Sequence, residues 1–361
     1  MAEGKPIRFG TYSEMQSLPG GSYYEDVWET LRHIELADRL GYEYTTTLEH
    51  FFFPGFSISA DPLAFFSAAA QRTRRIRFRT VCHVLPLHNP MVLASQLATA
   101  DILTDGRIDF GVGRGHGWIH EPAGMQMEES QQRYLECLEI VTRGLSQDKL
   151  TYDGKFWSVE DVEIVPKPVQ KPYPKVYMAG TSGAAFRVAA QNGWGIVCGG
   201  PAPFAFFHDA IQIYRDACRE FGTEPDVCTV RTVYMDEDAD RAHREIKDVL
   251  LTYYQHAMSP IDSVQDPKTK ERLLEAGYGF YAGDAFQQMR AMSYDDIIDQ
   301  EMALVGTPDQ VAQRLGDFLE QGRYQEFSVI HHLGGIQSWQ VTKTLELFAR
   351  QVRPALDGIL V

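Results

Sequence analysis

Positive charge is scarce in this chain. Its 361 residues carry 34 Lys and Arg against 49 Asp and Glu, a formal net charge of -15, and neither nucleic acid nor an anionic membrane attracts such a surface. The only basic cluster runs from Arg72 to Arg79. The alternation in its "RRIRFRT" stretch reads as a strand with one wet face leading out of a helix. Cysteine is also sparse: Cys82, Cys137, Cys198, Cys218 and Cys228 form no CxxC pair, which removes a disulfide framework or a zinc knuckle and fits a reducing cytosol. No apolar run approaches the roughly 18 residues of a membrane span. The opening "MAEGKPIRFG" lacks the apolar core of a secretory signal, so a cytoplasmic protein is expected. There is no G-x-S-x-G elbow for a serine hydrolase.

What the chain does contain is alternation. Short apolar runs at Ile7 to Ser13, Tyr42 to His50, Ile76 to Leu85, Arg107 to Gly113, Val176 to Thr181, "GIVCGG", Val227 to Met235 and Phe327 to Leu333 are each followed by a helical pattern. Asp61-Pro62 supplies a cap and a first-turn proline for the second helix. Eight such units in 361 residues argue for an α/β fold of the (β/α)8 TIM-barrel kind rather than an open doubly wound sheet. The chain reads as one domain over 1–361. The segment Ser259 to Gln300 breaks the alternation and reads as an insertion before the eighth strand, placed as active-site lids often are.

The stretch "TDGRIDFGVGRGHGW" (Thr104 to Trp118) resembles a dinucleotide loop at first sight. Its glycines at 111, 113, 115 and 117 alternate, however, and no register gives G-x-G-x-x-G. The stretch also follows the fourth strand, where a Rossmann fold would place it after the first. What remains is bare backbone and one cation, Arg114, at the C-terminal mouth of a barrel, where a flat ring or a phosphate can approach closely. A second anion-binding candidate is the turn at Gly180, Thr181 and Ser182 in "AGTSGAAF", which opens a helix.

Taken in order, "LEHFF", "CHVLPLHNPMVLASQLATADILTDGRIDFGVGRG", "VYMAGTS" and "LVGTPDQVAQRL" resemble the luciferase-like flavin-dependent monooxygenases, from about Phe9 to Pro354. The resemblance implies a barrel that binds FMN at its mouth. It also implies that reduced flavin (FMNH2), supplied by a separate reductase, reacts with O2 to a C4a-(hydro)peroxide that oxygenates a small organic substrate, an aldehyde, ketone or similar compound. By the same resemblance His50 is the catalytic histidine, and Arg114, Thr181 and Ser182 hold the flavin phosphate. Val81 and Cys82 run beside the flavin ring through a cis peptide, with Gly113 and Gly180 at neighbouring strand ends, and a homodimer or a heterodimer with a related subunit forms through the outer helices of the first units. Three positions depart from the luciferases proper: Phe51 stands where they have a second histidine, Gly113 where they have a cysteine, and Gly180 where they have a glutamate. The resemblance therefore extends to flavin-oxygen chemistry and not to light emission or long-chain aldehydes.

Several residues follow from the chemistry. A histidine with a near-neutral pKa suits proton handling beside a reduced flavin, which points again to His50. The aromatic run at Phe51 to Phe53, with Phe56, either walls a dry substrate pocket or is plain core. Tyr253 and Tyr254 near the end of the seventh helix, and one of His331 and His332 at the end of the eighth strand, are further pocket candidates. Strand alternation allows only one of that histidine pair to face inward. Glu49 belongs to the opposite face from His50. His83, His88, His116 and His120 have no carboxylate or cysteine partner at ligand spacing, so no metal is expected. Two alternatives stay open: hydride transfer with the deazaflavin F420, used by members of the same fold, and a non-catalytic flavin-binding accessory subunit.

Overall fold

The computed structural model describes residues 5–200 and 202–359. Each expected unit forms where local chemistry permits it. The first strand β1 (Arg8–Ser13) leads to α1 (Tyr23–Leu40), which the Ser22 hydroxyl caps and Gly41 ends in the left-handed conformation. Next come β2 (Tyr44–Thr47) and α2 (Pro62–Ala70), which opens on the expected Asp61 cap and Pro62. The predicted third strand divides into β3 (Arg77–Thr80) and β4 (His83–Val84), with the Val81-Cys82 peptide between them in the cis form that the resemblance implies. Then follow α3 (Pro90–Leu103), β5 (Ile108–Gly113) and α4 (Ser130–Ser146).

A two-stranded hairpin, β6 (Leu150–Asp153) and β7 (Ser158–Val162), stands outside the barrel and was not legible in the sequence. The alternation resumes with β8 (Val176–Ala179), α5 (Gly183–Gln191), β9 (Gly195–Gly199), α6 (His208–Phe221) and β10 (Val227–Met235). After β10 comes α7 (Ala239–Ala257), then the short helices α8 (Pro267–Glu275), α9 (Gly279–Ala282), α10 (Ala285–Arg290) and α11 (Tyr294–Asp299). The chain closes with β11 (Ala303–Gly306), α12 (Pro308–Gly322), β12 (Glu326–His332), α13 (Ser338–Leu347) and α14 (Arg353–Leu356).

Strands β1, β2, β3, β5, β8, β9, β10 and β12 pair in parallel in that order, and β12 returns to β1. This is the closed eight-stranded barrel the alternation predicts. Strand β11 is unforeseen, like the hairpin. β10 pairs with β12 along Cys228 to Thr232, while its outer end, Thr232 to Met235, pairs with β11. The connection back to β12 therefore runs through α12, which starts on a capping box of Thr307 and Gln310. The insertion is helical rather than irregular, and it reaches the loop after β5: Leu273, Tyr278 and Tyr281 pack around Gly117. No helix among the described residues is long and apolar enough to cross a membrane.

The barrel interior overturns the reading of "RRIRFRT" as a wet-faced strand. Arg79 is buried inside the barrel, paired with Glu326 of β12 and Asp109 of β5, with its guanidinium 3.4 Å from the Tyr177 ring centroid and 4.4 Å from that of Tyr44. Neighbouring strands supply the counter-charges that make a buried arginine tolerable, and Tyr177 donates to Glu326 as well. Arg79 thus belongs to the barrel floor, while Arg72, Arg74 and Arg75, ahead of the strand, are exposed.

Candidate active site

His50 lies three residues beyond the end of β2 and is 1% exposed. Phe52 adopts a left-handed backbone (φ 71°), and the turn that follows folds Phe53 and Phe56 back onto the imidazole, with the Phe56 ring centroid 4.4 Å away. Phe51 is not part of that wall. Its ring meets the exposed Phe52 instead, at 5.8 Å between centroids, so the aromatic run does not act as one surface.

Trp118 Nε1 donates to His50 Nε2 at 3.1 Å. A nitrogen that accepts carries no proton, so neutral His50 holds its hydrogen on Nδ1. That Nδ1 is buried and faces the Ser57 backbone without closing a regular hydrogen bond. Burial first, and the nearby His116 second, push the imidazole well below its usual pKa, so it stands neutral. His116 stacks on Trp118 at 4.6 Å and is itself lowered to about 3, chiefly by burial. Tyr281 of the insertion crosses the Trp118 ring edge-on at 5.3 Å.

Glycine lines the mouth beyond this aromatic wall. β5 ends in Gly113, where a Cβ would collide with the Cys82 sulfur. Next to it β8 is followed by Gly180, with open space around it, and β9 by Gly199 and Gly200, the latter also open. Gly180, Thr181 and Ser182 are exposed, and Ser182 caps α5 without a side-chain hydrogen bond, so the first amides of the helix have no side-chain cap. Arg114 is half-buried, held by Gln131 at 2.8 Å and the Ala276 carbonyl at 3.2 Å, over the Tyr278 ring.

The remaining candidates separate. Tyr253 and Tyr254 reach the mouth, since the Tyr253 hydroxyl donates to Glu14 Oε1 at 2.8 Å, just past the end of β1. His331 and His332 instead meet His33 of α1, at 5.7 and 5.3 Å between ring centroids. His332 Nδ1 lies 3.2 Å from both Ser13 Oγ and Thr30 Oγ1. The register slip where Ser13 pairs with His332 breaks the alternation that was expected to send one of them inward.

Glu49 also behaves unexpectedly. It accepts from the Val84 amide at 2.7 Å and lies 2.9 Å from His88 Nε2 and 3.3 Å from His83 Nδ1. The fold thus supplies the carboxylate partner that sequence spacing did not, and the three side chains lie as close together as metal ligands would. As it stands the group is a bracket fixing the chain after β2 to β4 and to the loop that leads into α3. His120, by contrast, meets Tyr278 Oη at 2.7 Å, and burial lowers it to about 4.

The family model described as luciferase-like monooxygenase matches residues 7–325. The chain belongs to that family. It is 24% identical over 369 residues to the oxygenase component of the flavin-dependent trigonelline monooxygenase of Acinetobacter baylyi, covering 97% of this chain and 96% of that protein. It is also 24% identical over 303 residues to an F420-dependent glucose-6-phosphate dehydrogenase of Amycolatopsis mediterranei, covering 82% and 84%. In fold it is similar to the oxygenating constituent of 3,6-diketocamphane monooxygenase from Pseudomonas putida, solved in complex with FMN, with a TM-score of 0.76 at 18% identity and coverage of 97% and 98%. The enzyme is a flavin-dependent oxidoreductase of the oxygenating kind.

The mouth of this luciferase-like barrel fits a flavin on its own geometry. Strand ends bare of side chains leave room for a flat ring, the uncapped amides of α5 suit a phosphate, and a buried histidine N–H lacks a regular partner. The sequence reading missed Trp118, Glu14 and Gly199-Gly200. The tryptophan lay in the quoted glycine stretch, and Glu14 is an acidic residue at the C-terminal end of a barrel strand, a signal worth reading.

Proposed function

We propose that the chain is the oxygenase component of a two-component monooxygenase that takes FMNH2 from a separate reductase and oxygenates a small organic substrate. The observation that carries this reading is His50: buried, neutral, fixed by Trp118 as the Nδ1–H form, and walled by Phe53, Phe56, His116 and Tyr281. When bound, the reduced flavin supplies the reaction with O2. The chain's own residues do the rest. Gly180 and Gly200 would admit the ring, Gly113 lets Cys82 pack against β5, Thr181, Ser182 and the amides of α5 would bind the phosphate, and Arg114 would add a cation once released from Ala276. Val81 and Cys82 flank the ring from the end of β3. The aromatic wall excludes water, which limits wasteful loss of reducing equivalents. His50 offers its Nδ1 proton as a hydrogen bond or as a general acid.

A second reading, hydride transfer with F420, has a relative behind it, and titration separates the two. FMNH2 binding tighter than reduced F420, with product formed only in oxygen, supports the oxygenase. The reverse order of affinity, with anaerobic turnover, overturns it. His50→Ala is expected to lower product formation by about 10²–10⁴-fold while flavin still binds. An unchanged product yield would instead identify an accessory subunit.

A further inference from the structure

At the end of β1, Glu14 is 4% exposed and its carboxyl is only half used. Oε1 accepts the Tyr253 hydroxyl, whereas Oε2 has no hydrogen-bond partner. The next residue of α7, Tyr254, is 1% exposed, and its hydroxyl has no partner either. The two tyrosine rings lie 5.2 Å apart, and Glu14 is close enough to Tyr254 to act on its hydroxyl electrostatically, which places these unsatisfied atoms in one neighbourhood. It lies at the mouth. Tyr12 of β1 is close enough to both Glu14 and Cys82 to feel their charges, and Arg231 acts on Tyr254 while holding the carbonyls of Gly200 and Ala202 at the end of β9.

Each buried polar atom left without a partner costs roughly 1–3 kcal/mol. Two such atoms on adjoining elements at the C-terminal end of a barrel point to a ligand that completes them. The structural task here, tying α7 to β1, is already met by Tyr253 and Oε1. Burial pushes the Glu14 carboxyl up to about 7, so it keeps its proton through most of the acid range. With Oε1 accepting, that proton sits on Oε2. Below about pH 7 the neighbourhood presents two O–H donors, Glu14 Oε2 and Tyr254 Oη.

We propose that Glu14 and Tyr254 form the polar anchor of the substrate subsite, donating together to the acceptor oxygen of a neutral, oxygen-bearing organic substrate. This rests on the oxygenase reading for the word substrate, but the donor pair itself is a property of the apoprotein. Two donors discriminate against a compound of equal shape that lacks the oxygen, because both groups then stay unpaired in a dry site. They also discriminate against a cation, which needs an acceptor.

The test uses three isosteric probes, acetophenone, α-methylstyrene and α-methylbenzylammonium, titrated calorimetrically into protein with and without oxidised FMN. Flavin binding is followed separately by fluorescence quenching. Acetophenone is expected to bind about tenfold more tightly than α-methylstyrene, the factor corresponding to a net hydrogen-bond contribution near 1.4 kcal/mol. Tyr254→Phe removes a hydroxyl that bonds nothing in the structure, so it should fold normally, keep FMN binding and lose most of that preference. Glu14→Gln should largely retain it, since a carboxamide still accepts from Tyr253 and still donates. Equal binding of the two neutral probes, or a preference untouched by Tyr254→Phe, overturns the proposal. So does tighter binding of the ammonium compound that Glu14→Gln abolishes, which would make Glu14 an ionised acceptor. Failure to bind FMN counts against the flavin reading alone, because the probe preference is also measured without it.

Discussion

A single hydrogen bond decides the protonation geometry of the central residue. Because the Trp118 indole can only donate, its bond to Nε2 commits His50 to the Nδ1–H form, and the low pKa keeps the ring neutral. Trp118→Phe keeps the stacked ring beside His116 but frees the tautomer. Turnover should fall about three- to tenfold, the range for a net bond near 1 kcal/mol, with little change in substrate KM. A KM effect without a kcat effect would show that Trp118 packs the pocket rather than orients the histidine. Residue roles of this kind were only partly legible in the sequence. His50, Cys82 and Arg114 announced themselves through motif order, and the two tyrosines of α7 through position. Trp118 acts on a residue 68 positions away, and Glu14 meets Tyr253 across 239. No local pattern encodes such separations. Phe51 was misplaced for a local reason, the left-handed turn at Phe52, and the two histidines of β12 because a one-residue register slip redirects them.

At the level of elements, two polar clusters hold the strands that present the site, and each makes a measurable claim. Burial alone would raise the Glu49 carboxyl, but His83 and His88 hold it well below the usual carboxylate range, while Glu49 raises His88 against the lowering effect of burial. The carboxylate contribution is complete above its ordinary value of 4.5 and fades as pH falls. The His88 contribution is complete below 6.5 and fades as pH rises through the higher folded value. Thermal melts should therefore show the largest penalty of Glu49→Gln between about pH 4.5 and 6.5, narrowing on both sides. Melting curves for the two proteins that stay parallel with pH would contradict the bracket.

On the barrel floor, Arg79→Met leaves Glu326 with Arg8 at 2.6 Å and the Tyr177 hydroxyl, and should cost about 3 kcal/mol, the low end for breaking a buried pair, with part of it recovered on adding Glu326→Gln. No recovery in the double variant would mean the arginine acts by volume alone. Elements themselves were read well where strands are buried on both faces and helices carry proline or acidic caps, as at Asp61-Pro62. The β6–β7 hairpin escaped because most of its side chains are exposed and no apolar period marks it. The insertion was read as such, but its helices escaped because α8 to α11 are too short to show a helical period.

Across the whole molecule, the barrel brings the ends of eight strands to one mouth. Its loops and the segment from α7 to α11 then add an aromatic wall and a polar pair to that mouth. The family and the closed barrel follow from this chain's matches and topology, and the flavin-oxygen function is the reading that gives the His50 N–H and the uncapped amides of α5 a partner. The most direct measurement reduces FMN anaerobically, mixes it with the protein in excess, admits oxygen in a stopped-flow instrument, and follows the return of oxidised-flavin absorbance. The account predicts a return markedly slower than for free FMNH2 in the wild type and faster in His50→Ala. A return identical to that of free FMNH2, with the protein present in excess, would contradict it.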